Sequence, residues 1–411
     1  MQENVISILL WAGIAVVCYA YLGYGIILFG LLKTRRFLYP SPVSIKETHS
    51  SHKVTFIVCA FNESGWIAEK IKNSVGLYFP ADHIRFVFVT DGSSDDTPQR
   101  AKATFEGIKD CPTWHILHQP ERRGKIAAFH RAMLQFGQWE NVPDNQHIIL
   151  STDANTLLNS VAIEKIVAHF NDPKVGAVAG EKRIRMGEKD AANSAGEGIY
   201  WKYESLLKKW DAELWTVVGA AGELFAFRAA AYEAVPQDTL VEDFYLTMRI
   251  AQKGYRVAYE PDAYAVESSS ASVSEEMKRK VRIAAGGLQA VVRLAPLLNF
   301  FKYGTISFQY ISHRVLRWTL APLFLPVIFC TNALLAFKEN TFYTALFILQ
   351  MIFYTCALLG FVLERRQLKI KAFFVPYYFC LMNYAMYAGF FRLIRGKQSV
   401  VWEKSKRADE Q

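Results

Sequence analysis

Residues 5–32, VISILLWAGIAVVCYAYLGYGIILFGLL, run for 28 positions without a charged side chain. No other feature narrows the folding options of the chain so sharply. About 20 apolar residues already span a bilayer as a helix. A secretory leader would be shorter and would open on basic residues. Here Glu3 is the only charge before the run, while Lys33, Arg35 and Arg36 follow it. The asymmetry predicts a transmembrane helix within 1–36, with the chain after it in the cytoplasm.

Further apolar runs occupy 316–337 and 342–363, joined by the short turn 338–341. A fourth, 372–391, is richer in Tyr and carries Pro376. We expect it to span as well, giving a C-terminal transmembrane region over 314–391. The loop 364–371 and the tail 392–411 are both basic. One span between them cannot place both in the cytoplasm, so the side of the tail stays open. The stretch 271–313 alternates basic residues with Leu288, Val291, Val292, Leu294, Leu297, Leu298 and Phe300. That pattern suits amphipathic helices lying on the membrane surface; a core helix of a soluble domain is the alternative.

Composition agrees with a segregated chain, since 52% of residues are apolar while 21% are charged. The net charge of +9 does not form a nucleic-acid stripe. Its basic clusters mostly border apolar segments, which points to the lipid bilayer as partner and away from nucleic acid. The six cysteines show no CxxC spacing and read as buried apolar residues.

Between the membrane segments, residues 50–270 alternate apolar runs with helical patterns. The runs are 54–60, 84–90, 114–118, 147–152 and 175–180. Helical patterns fall near 65–78, 96–106, 124–136 and 159–171. Short continuous apolar runs separated by helices predict an α/β domain with a mostly parallel sheet. Ligands of such sheets bind beyond the carboxyl ends of the strands. There the sequence reads FNES, DGSSDDT and DANT. Each is compatible with an ordinary turn, and Asp96 or Ser94 could cap the helix near 96. Carboxylates gathered on one sheet edge equally suit a hard cation such as Mg²⁺ or Mn²⁺.

The motifs AFNES, VTDGSSDDT, RRGKIAA, STDANT, GAAGELFAFR and LVEDFYLTMRIAQKGYRVAYEP follow one another in this order. In that succession the chain resembles the inverting family 2 nucleotide-sugar glycosyltransferases of GT-A fold. More narrowly it is similar to their membrane-embedded branch of cellulose, hyaluronan, chitin and poly-N-acetylglucosamine synthases. The resemblance implies roles residue by residue. Asp91 would face the uridine and neighbouring diphosphate, and Asn62 with Glu63 would help seat the nucleoside. Lys125 would contact the nucleotide, with Arg123 as a helper. Asp153 would bind the metal, with Asn155 standing where the family's Asp-x-Asp has an acid. Asp243 would be the general base. Arg282 matches the arginine of the processive Gln-x-x-Arg-Trp motif, but Arg279 and Ile283 replace its glutamine and tryptophan. Short products or single additions are therefore expected, with Trp201 and Trp210 as substitute aromatic platforms.

The expectation is an integral membrane enzyme of the cell or inner membrane with a cytoplasmic catalytic domain. It would transfer a sugar from a UDP-sugar to a growing polysaccharide or glycan, with an oligomer or export partner as a further possibility. One alternative is single transfer to a lipid phosphate or lipid-linked acceptor. Another is a catalytically silent ligand sensor or assembly partner, against which Asp91, Asp153 and Asp243 together argue.

Overall fold

The computed structural model describes residues 2–38, 51–185, 195–268, 273–338, 340–366, 368 and 370–396. The tail beyond 396 lies outside them. The described residues form two compact units. One lies within Tyr39–Arg185 and Asp211–Glu276, the other within Met1–Leu38, Met186–Trp210 and Met277–Gln398.

The first unit is built on one sheet. Its strands are β1 Lys53–Ala60, β2 Ile84–Asp91, β3 Trp114–Gln119, β4 His147–Asp153, β5 Thr156–Leu158, β6 Val175–Arg185, β7 Phe225–Arg228 and β8 Arg256–Ser268. Their order is β3-β2-β1-β4-β7-β6-β8-β5. The first four pair in parallel, with Cys59 beside Val89 on one side and Asp153 on the other. These are the strands with continuous apolar runs, and β1 is almost wholly buried because helices cover both faces. Beyond β4 the pairing is mixed: β7 is antiparallel to β4 and β6, β6 and β8 are parallel, and β5 is antiparallel to β8.

Below one face Phe56, Phe86, Phe88 and Phe105 pack together, and Phe105 stacks on Trp114 with ring centres 5.0 Å apart. At the starting end of β4 and β6, buried Arg228 donates to the carbonyls of Val175 (2.7 Å), Phe170 (2.6 Å), Asp172 (3.0 Å) and Asn145. One guanidinium thus ties three segments at the end of the sheet opposite Asp153, satisfying carbonyls that would otherwise be buried unpaired.

The second unit is helical. Helix Gln2–Cys18 continues through a π-helical turn, Tyr19–Gly23, into Tyr24–Leu38. Among the described residues two helices, Glu3–Leu38 and Thr341–Arg365, are long and apolar enough to cross a membrane. A third candidate is a pair, Thr305–Trp318 and Leu320–Ala336, bent by 50°. The run expected over 316–337 is therefore interrupted, because Thr319 leaves helical geometry at φ −123°, ψ −81°. Lys371–Ile394 is helical over 24 residues but is not among the candidates, its apolar character being diluted by Tyr377, Tyr378, Asn383, Tyr384 and Tyr387. Glu204 is buried in this unit and carries Arg317, His313 and Arg314 on its carboxylate, the last two at 3.3 Å.

Candidate active site

The site lies in the first unit, where the parallel strands end. Asp91 closes β2 and is almost fully buried. Its Oδ2 accepts the main-chain N–H of Arg123 (3.0 Å) and Gly124 (2.6 Å), and its Oδ1 lies 3.3 Å from Arg131 Nη1. The carboxylate thereby fixes the turn that opens helix Lys125–Phe136. Gly92 makes this approach possible: its φ is +66°, and a Cβ there would meet Arg122 N at 2.5 Å.

Lys125, first residue of that helix, donates to Asp153 Oδ1 at 2.8 Å and reaches Glu242 Oε1 at 2.8 Å. Gly222 lets the cluster close, since a Cβ there would sit 3.2 Å from both Asp243 Oδ2 and Lys125 Nζ. Burial opposes the charge on Lys125, but Asp153, Glu242 and Asp243 outweigh it and hold its pKa well above the ordinary value. Asp243 lies in the first turn of helix Glu242–Gln252, where the helix dipole favours acids. Thr247 ties that turn to the preceding loop, accepting from Ala220 N at 3.1 Å and donating to Asp243 O at 2.8 Å. Burial, followed by the negative charge of Glu242, pushes the Asp243 carboxyl up to about 7 against the pull of Lys125.

The loop after β1 interlocks with the loop after β2. Asn62, at φ +52°, donates its main-chain N–H to Ser93 Oγ at 3.1 Å and accepts from Ser94 N at 2.8 Å on its side-chain oxygen. Glu63 is buried, and its N–H donates to Thr97 Oγ1 at 2.9 Å. Ser64 N donates to Asp95 Oδ2 at 3.2 Å, and Asp95 Oδ1 accepts from Thr97 N at 3.0 Å. The helix at 97 is thus capped by Asp95, not by Asp96 or Ser94, whose side chains make no such bond. Arg122 lies over the Phe61 ring, 3.6 Å from its centre.

Asp91, Lys125, Asp153 and Asp243 therefore converge, with Asn62 and Glu63 on the neighbouring loop. Asn155 sits half-buried in the turn after Asp153. Arg282 belongs to helix Val273–Arg293 in the helical unit. Trp210 packs on Phe29 and Trp201 carries Lys280 over its ring, both within that unit. Glu242, Arg131 and Gly222 were not singled out from the sequence. Glu242 was legible only as a helix-start acid, and nothing marks Arg131 or Gly222 locally. Among the described residues no three His, Cys, Asp or Glu side chains could together hold a metal ion. Asp153 offers one carboxylate, here paired with Lys125, and one carboxylate with substrate phosphates is the manner usual for Mg²⁺.

A mixed sheet with acids and a lysine at its strand tips is the arrangement of a GT-A domain. The family described as "Glycosyltransferase like family 2" matches residues 52–286, and the chain belongs to it: it is a family 2 glycosyltransferase. Poly-beta-1,6-N-acetyl-D-glucosamine synthase of Staphylococcus aureus (strain MSSA476) is 27% identical over 247 residues, 58% of this chain and 56% of that protein. The probable glycosyltransferase YdaM of Bacillus subtilis (strain 168) is 26% identical over 262 residues, 61% of this chain and 58% of that protein. The chain thus matches little more than half the length of these curated relatives. Among solved structures, mannosyltransferase PcManGT from Pyrobaculum calidifontis, in complex with GDP-Man and Mn²⁺, shares the fold with a TM-score of 0.70. It is 22% identical, and the match covers 95% of this chain and all of that one.

Proposed function

We propose that the chain is a membrane-bound inverting glycosyltransferase that moves a sugar from a UDP-sugar to a glycan acceptor, with its catalytic domain in the cytoplasm. The observation that carries the reading is the cluster of Lys125 between Asp153 and Glu242, with Asp243 beside it. It offers a cation for a diphosphate and a recessed carboxylate for a proton. Membrane attachment is supported by the two candidate spans.

Asp243 accepts the proton of the acceptor hydroxyl as that oxygen bonds to the anomeric carbon. The bond from that carbon to the diphosphate breaks on the opposite face, and the nucleoside diphosphate leaves. Lys125 swings from its carboxylates to the phosphates and balances their charge. Asp153 and Asn155 would hold a divalent cation, which when bound supplies Lewis-acid stabilisation of the leaving diphosphate. Asn62, Glu63 and the Asp91-fixed turn shape the nucleoside end. In the helical unit Ile283 is 39% exposed where processive synthases have tryptophan, which favours short products.

The test is nucleotide release by the full chain in lipid nanodiscs, with Mg²⁺ or Mn²⁺, a panel of UDP-sugars and GDP-mannose, and chromatographic sizing of products. Release of UDP with short glycan products is expected. Release of GDP alone would overturn the donor, long polymer would overturn the product length, and no release with any donor would overturn the reading.

A further inference from the structure

We propose that Lys70 is a positioning residue for the donor half of this site: its buried ammonium fixes the turn that presents Asp153 and Asn155. Helix Ile67–Val75 turns Ile67, Lys70, Ile71 and Ser74 inward, the spacing of an apolar stripe. Lys70 occupies a core position on that stripe and is fully buried. Its Nζ donates to Thr152 Oγ1 at 3.0 Å, Thr156 O at 2.8 Å and Thr156 Oγ1 at 3.4 Å. These two threonines bracket Asp153, Ala154 and Asn155.

The hydrogen bonds close on themselves. Thr156 Oγ1 donates to Asp153 O at 2.9 Å, and Thr152 Oγ1 donates to Glu223 O at 2.7 Å. The two hydroxyls also lie 3.0 Å from each other, and both accept from Lys70, whose ammonium can only donate. An ammonium supplies three donors from one atom, and all three are used. A methionine would fill the same volume without the cost of burying a charge. The position nonetheless holds a lysine, and the turn is what it binds. Burial draws the Lys70 pKa down to about 7, with the field of Asp153 opposing.

This role rests on Asp153 being a donor-side ligand, so the experiment separates the two claims. UDP binding to the full-length protein in nanodiscs is measured by calorimetry with and without Mn²⁺, for wild type, Lys70→Met, Asp153→Asn and the double variant. Lys70→Met should weaken Mn²⁺-dependent UDP binding by about 10- to 100-fold, the usual loss when a ligand's supporting partner is removed. Some fall in melting temperature is expected, because buried acceptors lose their donor; a merely structural lysine would give that fall while leaving Mn²⁺-dependent UDP binding at the wild-type level. The double variant should bind no more weakly than Asp153→Asn alone, because both act through one turn. Wild-type binding by Lys70→Met, or losses that multiply in the double variant, would overturn the role. Unchanged binding by Asp153→Asn would overturn the donor reading itself. Should Lys70→Met fail to fold, Thr156→Val removes the hydroxyl that ties Lys70 to the Asp153 carbonyl. It should weaken binding by about 3- to 10-fold, the worth of one hydrogen bond, and wild-type binding there would equally overturn the role.

Discussion

The tips of β2 and β4 lie on either side of β1 and both end in aspartate, yet the two carboxylates are held in opposite ways. Asp91 is gripped by two main-chain N–H groups and Arg131, and its side chain is 6% exposed. Asp153 is held by the side chain of Lys125 and is 15% exposed. Main-chain donors in a turn cannot leave without unfolding it, whereas a lysine can swing to a phosphate. The contacts of Asp91 are thus fixed by the fold, whereas the pair of Asp153 with Lys125 can exchange. Asp243 is of the second kind, with Lys125 and Glu242 as its charged neighbours.

The sharpest way to break this division is at Asp243. Asp243→Asn should lower kcat by about 10²- to 10⁴-fold with donor affinity nearly unchanged, as expected when a general base is lost. The proposed base acts only when deprotonated, so wild-type activity should fall as pH drops through about 7. Glu242→Gln removes a charge that raises this pKa and should move the acidic limb of the rate profile to lower pH. A limb that does not move would exclude Asp243 as its origin.

Next in size is the contrast in stability. Asp91→Ala leaves buried donors unmatched and should cost about 3 kcal/mol in denaturant unfolding, given the worth of hydrogen bonds to charged groups. Asp153→Ala leaves Lys125 its second carboxylate partner, Glu242, and should cost less stability than Asp91→Ala while activity disappears. Equal losses of stability would erase the distinction. Gly92→Ala should follow Asp91, with a loss of about 1–3 kcal/mol from the positive φ and the contact with Arg122. The smallest effect is expected at Asn155. Asn155→Asp adds a charge to the exchangeable tip and should lower the Mn²⁺ concentration for half-maximal activity, leaving donor preference unchanged. Metal titrations of both proteins check it.

The parallel half of the sheet was legible because β1, β2 and β4 are continuous apolar runs ended by polar turns. Of the other half only the start of β6, the run 175–180, could be read. β7 is only four residues long, β5 only three, and β8 carries Pro261 and Asp262 within its span. Their pairing depends on partners far along the chain, which local patterning does not report. The acids at the strand tips could be read, but their division of labour could not. It depends on Gly124 and Arg123 folding back to Asp91, a contact across 32 or more residues. Lys70 was invisible for a similar reason: within AEKIK it reads as one more solvated charge.

The hydrogen bonds between the strand-tip loops also set how such a domain can be recombined. Asn62 binds Ser94, Ser64 binds Asp95, and Asp91 binds the turn at Arg123 and Gly124. A chimera that imports residues 91–97 alone would bring donors and acceptors whose partners stayed behind in the parent. One that imports 61–66, 91–97 and 119–125 together carries its contacts with it. The three loops thus form one hydrogen-bonded unit, and crossovers placed at the starting ends of the strands should leave it intact.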